Sequence, residues 1–183
     1  MGVGDFLKIG SLNRLGDNIY FILSEYISIF WKILDVKDGK ALIVAIHAID
    51  VRAYNDEFKE VTWSSCSLRT WLNNDFYQKA FSAEEKKRIL SETVSPGNNP
   101  RYETNPGNET EDKVFLLSIG EASAAPRYSF YHGQVCCCWL RSPGYNQYGA
   151  AVIYYDGSID YEGCSVDRTL GGVRPAMWIT LNS

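Results

Sequence analysis

Cysteines and a histidine near the end of the chain are the residues whose types suit metal chemistry. Cys136, Cys137 and Cys138 are consecutive, and His132 and Cys164 flank them. Thiolates and imidazole are ligands that zinc prefers. Structural zinc sites usually separate paired cysteines by two residues, whereas Cys136 and Cys138 are separated by one. Strand geometry would place those two on one face and Cys137 on the other. The spacing therefore predicts no metal site and favours small thiols that fill a core.

Sequence patterns of other catalytic sites are missing. No glycine-rich phosphate loop precedes a helix, no nucleophile elbow occurs, and His47 and His132 are not at metal-ligand spacing. We interpret the arginines in "SLR" and "WLRSPG" as side chains that hold loops by hydrogen bonds to carbonyls or carboxylates. The sequence therefore predicts no catalytic residue, no cofactor and no enzymatic activity.

Charge and composition narrow the classes of partner. The 183-residue chain has a formal net charge of −4, which disfavours nucleic acid and anionic membrane surfaces. We recognise neither a signal peptide nor an apolar run long enough to span a bilayer, so we expect no direct membrane insertion. Five cysteines without a secretion signal favour reduced thiols. The length predicts a single domain, residues 1–183.

The segment from Tyr145 to Thr169 has an unusual composition. It contains five of the twelve tyrosines, together with three Asp, two Ser and one Asn, and lacks lysine. Tyrosine supplies contact area and a polar tip with few torsions to immobilise, and the small polar residues supply adaptable hydrogen bonds, as in antibody paratopes. The composition favours a ligand-binding surface. The alternative is an ordinary solvent-facing hairpin, because tyrosine is common in strands.

Most of the elements that must position this segment are predicted to be strands. "NIYFILSEY", "SIFWKILDV" and "KALIVAI" are rich in β-branched and aromatic residues, and Gly39 in "KDGK" can take a positive φ in a hairpin turn. "KVFLLSI" is predicted to be a buried strand, and "AAVIYYDGSIDYEG" a hairpin around Asp156 and Gly157. "GGVRPAMWITL" is predicted to be a closing strand, in which Pro175 indicates an edge position or a bulge.

Two helices are predicted in the middle of the chain. Ser64 or Ser65 would cap the first, and Ser82 with Glu85 forms a capping box for the second. Residues 95–112 are predicted to be a surface loop, and "GEASAAP" one short helical turn. Strands, then helices, then strands indicate an α+β fold. Apolar residues at helical spacing predict a helix-to-sheet core of Trp63, Leu68, Trp71, Leu72 and Phe76.

Several segments of the chain, taken together, carry a family resemblance. In order they are "FWKILDVKDGKALIVA", "VTWSSCSLRTWLNNDFYQKAFSAEEKKRI", "DKVFLLSIGEA", "WLRSPG", "DGSI" and "GVRPAMWI". They resemble an uncharacterised domain family of gut Firmicutes and their phages that has a C-type-lectin-like fold. The likeness covers about residues 16–181 and departs at "YFILSEYISIFW", where the family usually has a Gly-Ser turn and a proline. It implies two mid-chain helices packed on antiparallel sheets, with the late strands and loops forming an exposed binding face.

The late segment also resembles the variable region of proteins diversified by diversity-generating retroelements. In those systems a reverse transcriptase mutates adenines copied from a template, and asparagine codons are the main targets. Such a codon, ending in C or T and randomised at its adenines, cannot encode Trp, Met, Lys, Glu or Gln. Apart from Gln147 and Glu162, every residue from Tyr145 to Leu170 belongs to the permitted set. This implies a scaffold of about residues 16–142 and 171–183 and a hypervariable ligand-binding region of about residues 136–170.

The resemblance implies a set of ligand-binding residues. Aromatic anchors would be Tyr145, Tyr154, Tyr155 and Tyr161, and charged residues would set the polarity of the surface. The full set is Tyr145, Asn146, Tyr148, Val152, Tyr154, Tyr155, Ser158, Asp160, Tyr161, Cys164, Ser165, Asp167, Arg168, Thr169 and Leu170. The calcium-binding words of sugar-binding lectins are absent, so the expected partner is a protein ligand on a cell or phage surface. We expect the protein itself on a phage particle or bacterial surface, reached by an unrecognised route, or otherwise in the cytoplasm.

Three alternatives stay open. The first is a binding domain of the same fold without variation. The second is a structural module of a surface assembly, which would keep a rigid, conserved face. The third is an enzyme of the formylglycine-generating type, which shares this kind of fold and uses reactive cysteines; the chain is shorter and has no second motif. Finding no unusually acidic cysteine would exclude that enzyme.

Overall fold

The computed structural model describes residues 1–13, 26–126 and 129–181, and within them the protein is α+β, as predicted. Short helices accompany many antiparallel strands. The strands are β1 (Phe6–Asn13), β2 (Tyr26–Lys37), β3 (Lys40–Ala45), β4 (Asp50–Arg52), β5 (Glu92–Val94), β6 (Thr110–Asp112), β7 (Phe115–Leu116), β8 (Phe130–Tyr131), β9 (Gln134–Val135), β10 (Cys138–Pro143), β11 (Gly149–Ile153), β12 (Ile159–Ser165), β13 (Gly171–Val173) and β14 (Pro175–Thr180). The helices are α1 (Ser67–Trp71), α2 (Tyr77–Ala80), α3 (Ala83–Arg88) and α4 (Ile119–Ala122).

Two five-stranded sheets carry the core. The first has the order β1-β2-β3-β14-β7, and the second has the order β12-β11-β10-β13-β4. Among the described strands of these sheets, β10 and β13 pair in parallel and the other pairs are antiparallel. The buried apolar side chains of both sheets and the helices form one core cluster. The sheets are joined at Arg174, where β13 of the second sheet passes into β14 of the first.

The predicted hairpin at "KDGK" is confirmed. β2 pairs with β3 across Lys37 and Lys40, and the turn residues Asp38 and Gly39 have φ values of 50° and 73°. Two positive φ values in succession are what a two-residue turn between twisted strands requires. β1, which pairs with β2, was not predicted. Of the predicted strand "NIYFILSEY", residues 18–25 lie outside the described residues.

The first mid-chain α-helix begins later than the sequence pattern suggested. A 3₁₀ turn (Trp63–Ser65) carries a capping box between Thr62 and Ser65, and α1 starts after Cys66. The prediction that Ser64 or Ser65 caps the helix is therefore wrong. A π-helical turn (Leu72–Phe76) joins α1 to α2. The capping box of Ser82 and Glu85 on α3 and the short helical turn α4 are confirmed.

The predicted helix-to-sheet core is confirmed for four of its residues. Trp63, Leu68, Leu72 and Phe76 are buried, whereas Trp71 is half-buried. The Arg52 guanidinium lies 4.1 Å from the centre of the Trp71 ring and covers its outer side. No helix of the described residues is long and apolar enough to cross a membrane.

The position of Pro175 differs from its prediction. The closing segment forms two strands in different sheets, and β14 lies between β3 and β7 rather than at an edge. Pro175 is the first residue of β14, a position at which a strand tolerates the missing N–H. The predicted edge position is therefore wrong.

Candidate functional site: a tyrosine-rich surface

Three consecutive strands of the second sheet carry the predicted binding segment. β10, β11 and β12 are neighbours, and β12 forms the edge of the sheet. The predicted hairpin at Asp156 and Gly157 joins β11 to β12 and is confirmed. Gly157 has φ 88°, and the Tyr154 N–H donates to the Ser158 carbonyl at 2.8 Å.

Most of the predicted binding residues reach the surface. Asp160, Tyr161, Cys164 and Ser165 are half-buried, whereas ten others are exposed. The exposed ones are Tyr145, Asn146, Tyr148, Tyr154, Tyr155, Ser158, Asp167, Arg168, Thr169 and Leu170. Val152 is 0% exposed, because both faces of β11 are covered: Ala151 and Ile153 on one face are buried, and on the other the Val152 side chain packs in the core. The inclusion of Val152 in the binding face is therefore wrong.

A β-bulge in β12 changes the register above β11. Ala150 is opposite Cys164, and Val152 is opposite Asp160, so residues 161–163 lie opposite a single residue of β11. Gly163 has φ 76°, a left-handed conformation that residues with a Cβ adopt only at an energetic cost. The Asp160 Oδ1 accepts hydrogen bonds from the N–H groups of Glu162 at 3.0 Å and Gly163 at 3.2 Å. Asp160 therefore stabilises the bulge as well as facing solvent.

Residues from the 95–109 loop join this surface. The ring of Tyr102 meets the ring of Tyr145 edge to face, with centroids 5.3 Å apart. The Arg101 guanidinium lies 4.0 Å from the centroid of the Tyr161 ring. The Tyr102 hydroxyl donates to the Glu162 carboxylate at 3.4 Å. Arg101 and Tyr102 were not among the predicted binding residues. The sequence "PRYE" does place an arginine beside a tyrosine, residue types that are common in protein-binding surfaces.

The 95–109 loop is held against the predicted binding region, residues 136–170, by hydrogen bonds to the backbone of that region. The Asn99 side-chain amide donates to the carbonyls of Pro143 at 2.9 Å and Tyr161 at 2.7 Å. The Thr104 hydroxyl bonds to the carbonyls of Gly144 at 3.0 Å and Tyr145 at 2.8 Å. The loop is therefore attached to β10 and β12, and Asn99 is buried.

Carboxylates lie among the tyrosines. The Tyr154 hydroxyl donates to Asp160 Oδ2 at 3.1 Å, and this hydrogen bond and the carboxylate charge raise the pKa of Tyr154. Burial and the Glu162 carboxylate likewise raise the pKa of Tyr102. Both hydroxyls therefore remain protonated at neutral pH. We define the tyrosine surface as the contacting set Arg101, Tyr102, Tyr145, Tyr154, Asp160, Tyr161 and Glu162.

A family model covers the tyrosine surface and every strand of the two five-stranded sheets except β1. It is described as a domain of unknown function (DUF6273), and it matches residues 18–181. The chain belongs to the DUF6273 family. No curated protein and no solved structure matches it.

The cysteines of the DUF6273 domain separate into two environments, as strand alternation predicted. The thiols of Cys136 and Cys138 both approach the Ser129 hydroxyl, at 3.7 and 3.2 Å. Cys137 lies near Cys164 instead: burial, then the Cys164 thiol, raises the pKa of Cys137. No group of three or more His, Cys, Asp or Glu side chains within residues 1–13, 26–126 and 129–181 is arranged to hold a metal.

Cys136 differs from the other thiols of the DUF6273 domain in acidity. A hydrogen bond from Cys138 outweighs the effect of burial, and Ser129 and Arg174 assist it, so the pKa of Cys136 falls to about 7. Burial raises the pKa of the Cys66 thiol to about 12. Because Cys136 is unusually acidic, the acidity criterion does not exclude the enzyme alternative.

An open cavity of about 500 Å³ lies apart from the tyrosine surface of the DUF6273 domain. It is lined mainly by polar side chains around Arg52, Asn55 and Trp71, together with charged residues such as Glu57 and Lys59. None of the residues of the tyrosine surface lines it.

Proposed function

We propose that the DUF6273 domain is a ligand-binding protein of C-type-lectin-like fold in which the exposed residues of about 136–170, Gln147 and Glu162 excepted, are hypervariable, and that Arg101 and Tyr102 of the scaffold adjoin them. A retroelement reverse transcriptase would diversify the hypervariable residues. Its partner would be a protein ligand on a cell or phage surface. One observation supports this most strongly: main-chain hydrogen bonds attach residues 136–170 to the scaffold, and ten of the fifteen predicted binding residues are exposed.

Backbone attachment makes variation compatible with folding. Asn99 and Thr104 bond to main-chain carbonyls, and the Tyr145 N–H donates to the Glu162 carbonyl at 2.8 Å. These hydrogen bonds persist whichever side chain occupies positions 145 and 161. The side chains beneath the surface, such as Ala151 and Ile153, are buried and belong to the core. Substitution above them therefore leaves the packed interior unchanged.

The chemistry of the surface suits a protein ligand. Protonated tyrosine hydroxyls donate hydrogen bonds, whereas Asp160 and Glu162 accept them, and the aromatic rings offer apolar area. Arg101 is stacked on Tyr161 and so presents a cation that is already oriented. Pre-oriented aromatic and charged groups reduce the entropy lost on binding.

The codons of the exposed positions test the variable-region hypothesis directly. Asparagine codons randomised at their adenines keep their final C or T. The codons of Arg168, Leu170 and Ser158 should therefore end in C or T, although most arginine and leucine codons end in a purine. Arg141 and Leu140 of the scaffold carry no such restriction and serve as controls. A near-duplicate of the segment with AAC or AAT at these positions, beside a reverse transcriptase gene, is the expected genomic context.

The same sequencing separates the proposal from its alternative. Natural copies of the gene should differ at Tyr145, Tyr154 and Arg168 while keeping Val152. Purine-ending codons at Arg168 and Leu170, or identical surface residues in all copies, would contradict diversification and favour a non-variable binding module.

A further inference from the structure

We propose that Cys136 is a reactive thiol that exchanges with low-molecular-weight disulfides and retains the product as a mixed disulfide. This site goes beyond the proposed binding function and does not depend on it.

The position of Cys136 is fixed by contacts on several sides. Its N–H donates to the Ser129 carbonyl at 3.2 Å, and its thiol approaches the Ser129 hydroxyl. A Cβ placed on Gly172 would lie 3.0 Å from the Cys136 sulfur, so the glycine leaves the space that the sulfur occupies. Cys136 is only half-buried, which leaves the thiol accessible to a small reagent.

A buried arginine with an unused donor lies beside the two thiols. Arg174 is 5% exposed, and its Nη1 donates to the Pro126 carbonyl at 3.1 Å. Its Nη2 is buried and has no hydrogen-bond partner among the described residues. An unpaired buried donor is costly, and an ionised sulfur next to the guanidinium would supply the missing acceptor. The guanidinium interacts first with Cys138, by charge and by a hydrogen bond, and its charge also acts on Cys136.

The neighbouring titratable groups favour ionisation at Cys136 rather than at Cys138. The hydrogen bond with Cys136, together with burial, raises the pKa of Cys138 well above its usual value, so Cys138 remains a thiol that donates to the ionised sulfur. His47 also lies near the guanidinium, and burial and Arg174 lower its pKa, which keeps the imidazole neutral. Of Cys136, Cys138 and His47, only Cys136 is therefore ionised to a large extent near pH 7.

The exchange is balanced with a disulfide RSSR as the oxidant. The Cys136 thiolate attacks one sulfur of RSSR, a Cys136–SR bond forms, the S–S bond breaks, and RS⁻ leaves. RS⁻ then takes up the equivalent of the proton that Cys136 released, so the products are the mixed disulfide and RSH. Cys138 is protonated and buried, so it is a poor nucleophile for displacing the second RS group. The mixed disulfide therefore accumulates.

The protein provides its own controls, because Cys137 and Cys164 are also half-buried but have raised pKa values. We would incubate the folded protein with glutathione disulfide at pH 7 and follow each cysteine by peptide mass mapping. At pH 7 about half of Cys136 would be thiolate, whereas only about one hundredth of a thiol with pKa 9 is ionised. A thiolate of lower pKa is a weaker nucleophile, and this reduces part of the rate advantage of Cys136. Cys136 should react roughly tenfold faster than either control, with a rate that levels off above about pH 7.

Two variants complete the test. Cys136→Ser should remove the fast-reacting site, and Cys138→Ala should slow Cys136 at pH 7 because the donor to its thiolate is lost. Equal rates at Cys136, Cys137 and Cys164 would overturn the proposal. So would a Cys136–Cys138 disulfide in place of the adduct, since retention of the mixed disulfide is part of the claim.

Discussion

Gly163 shows how much one residue contributes to the shape of the binding segment. Its φ is 76°, and a Cβ built there would lie 2.2 Å from the Ala150 carbonyl oxygen. Gly133 has nearly the same φ, 78°, but a Cβ there would have no atom within 4 Å. Substitution of Gly133 therefore measures the free-energy cost of a left-handed backbone alone. Substitution of Gly163 adds the cost of steric overlap with β11.

We predict that Gly163→Ala destabilises the protein more than Gly133→Ala does. The left-handed backbone alone should cost about 1 kcal/mol at either position. At Gly163 the overlap with the β11 backbone should raise the total to roughly 2–4 kcal/mol, because one of the strands must move. Urea unfolding of the two variants measures the difference. Equal losses of stability would mean that β12 can shift away from β11 without cost.

An ion pair between the buried Arg141 and the partly exposed Glu121 joins several elements behind residues 136–170. Arg141 of β10 donates to the carbonyls of Ser95 and Leu116, both at 2.6 Å, and its guanidinium pairs with Glu121 of α4. Glu121 also accepts the Ser118 N–H at 2.8 Å in the capping box of α4. These contacts confirm the prediction that the arginine of "WLRSPG" holds loops by bonding to carbonyls and carboxylates. They fix α4 and β7 against β10.

Glu121 should make stability depend on acid pH. Burial alone would raise its pKa, but the hydrogen bond and charge of Arg141 outweigh this and lower the pKa below its usual 4.5. A lowered folded pKa stabilises the fold above about pH 4.5, and this stabilisation is lost as the pH falls through the folded pKa. Glu121→Gln should therefore cost about 1 kcal/mol at pH 7, a modest figure because the carboxylate is partly exposed.

Urea unfolding at pH 7 and near pH 3 measures this dependence. The stability difference between wild type and Glu121→Gln should narrow at the lower pH, where the native carboxylate is protonated. Glu84→Gln is the matched control, since the Glu84 side chain is 80% exposed and should change stability little at either pH. If Glu121→Gln lowered the free energy of unfolding by the same amount at both pH values, the charge of Glu121 would not contribute to stability through the ion pair.

The whole molecule separates a packed scaffold from an exposed surface. The buried residues of both sheets form one cluster, whereas Tyr154, Tyr155 and Leu170 are 41%, 45% and 69% exposed. Asp160 and Tyr161 are intermediate cases. Asp160 holds the bulge in β12, and Tyr161 is half-buried beneath Arg101. Tolerance to substitution should follow this division.

We predict that simultaneous replacement of Tyr145, Tyr154, Tyr155, Arg168 and Leu170 by Ser leaves the fold intact. Exposed substitutions usually change stability by about ±0.5 kcal/mol each. Arg141→Ala alone should cost about 3–5 kcal/mol, because it leaves the Glu121 carboxylate and buried carbonyls without partners. Thermal unfolding of both variants makes the comparison. If the fivefold variant unfolds while Arg141→Ala melts normally, the scaffold and the binding surface have been assigned the wrong way round.

Local patterns in the sequence were sufficient for several features of the fold. The turns at Gly39 and Gly157, the capping box at Ser82 and the alternating environments of Cys136, Cys137 and Cys138 are all observed. Each depends on interactions within a few residues, so spacing and residue type determine it. The α+β class was predicted from the order of these local patterns, whereas the candidate binding residues were taken from the family resemblance, and most of them are exposed.

Other features required the tertiary structure, because they depend on residues distant in the chain. Val152 is buried because both faces of β11 are covered, and which parts of the chain cover a face depends on long-range packing. Tyr102 reaches Tyr145 only because Asn99 and Thr104 attach their loop to the backbone of the binding segment. The charge of Arg174, which lies between β13 and β14, acts on Cys136, which lies between β9 and β10. The sequence by itself therefore determined the local elements and the composition of the surface. Only long-range packing decided which side chains share that surface and which thiol is acidic.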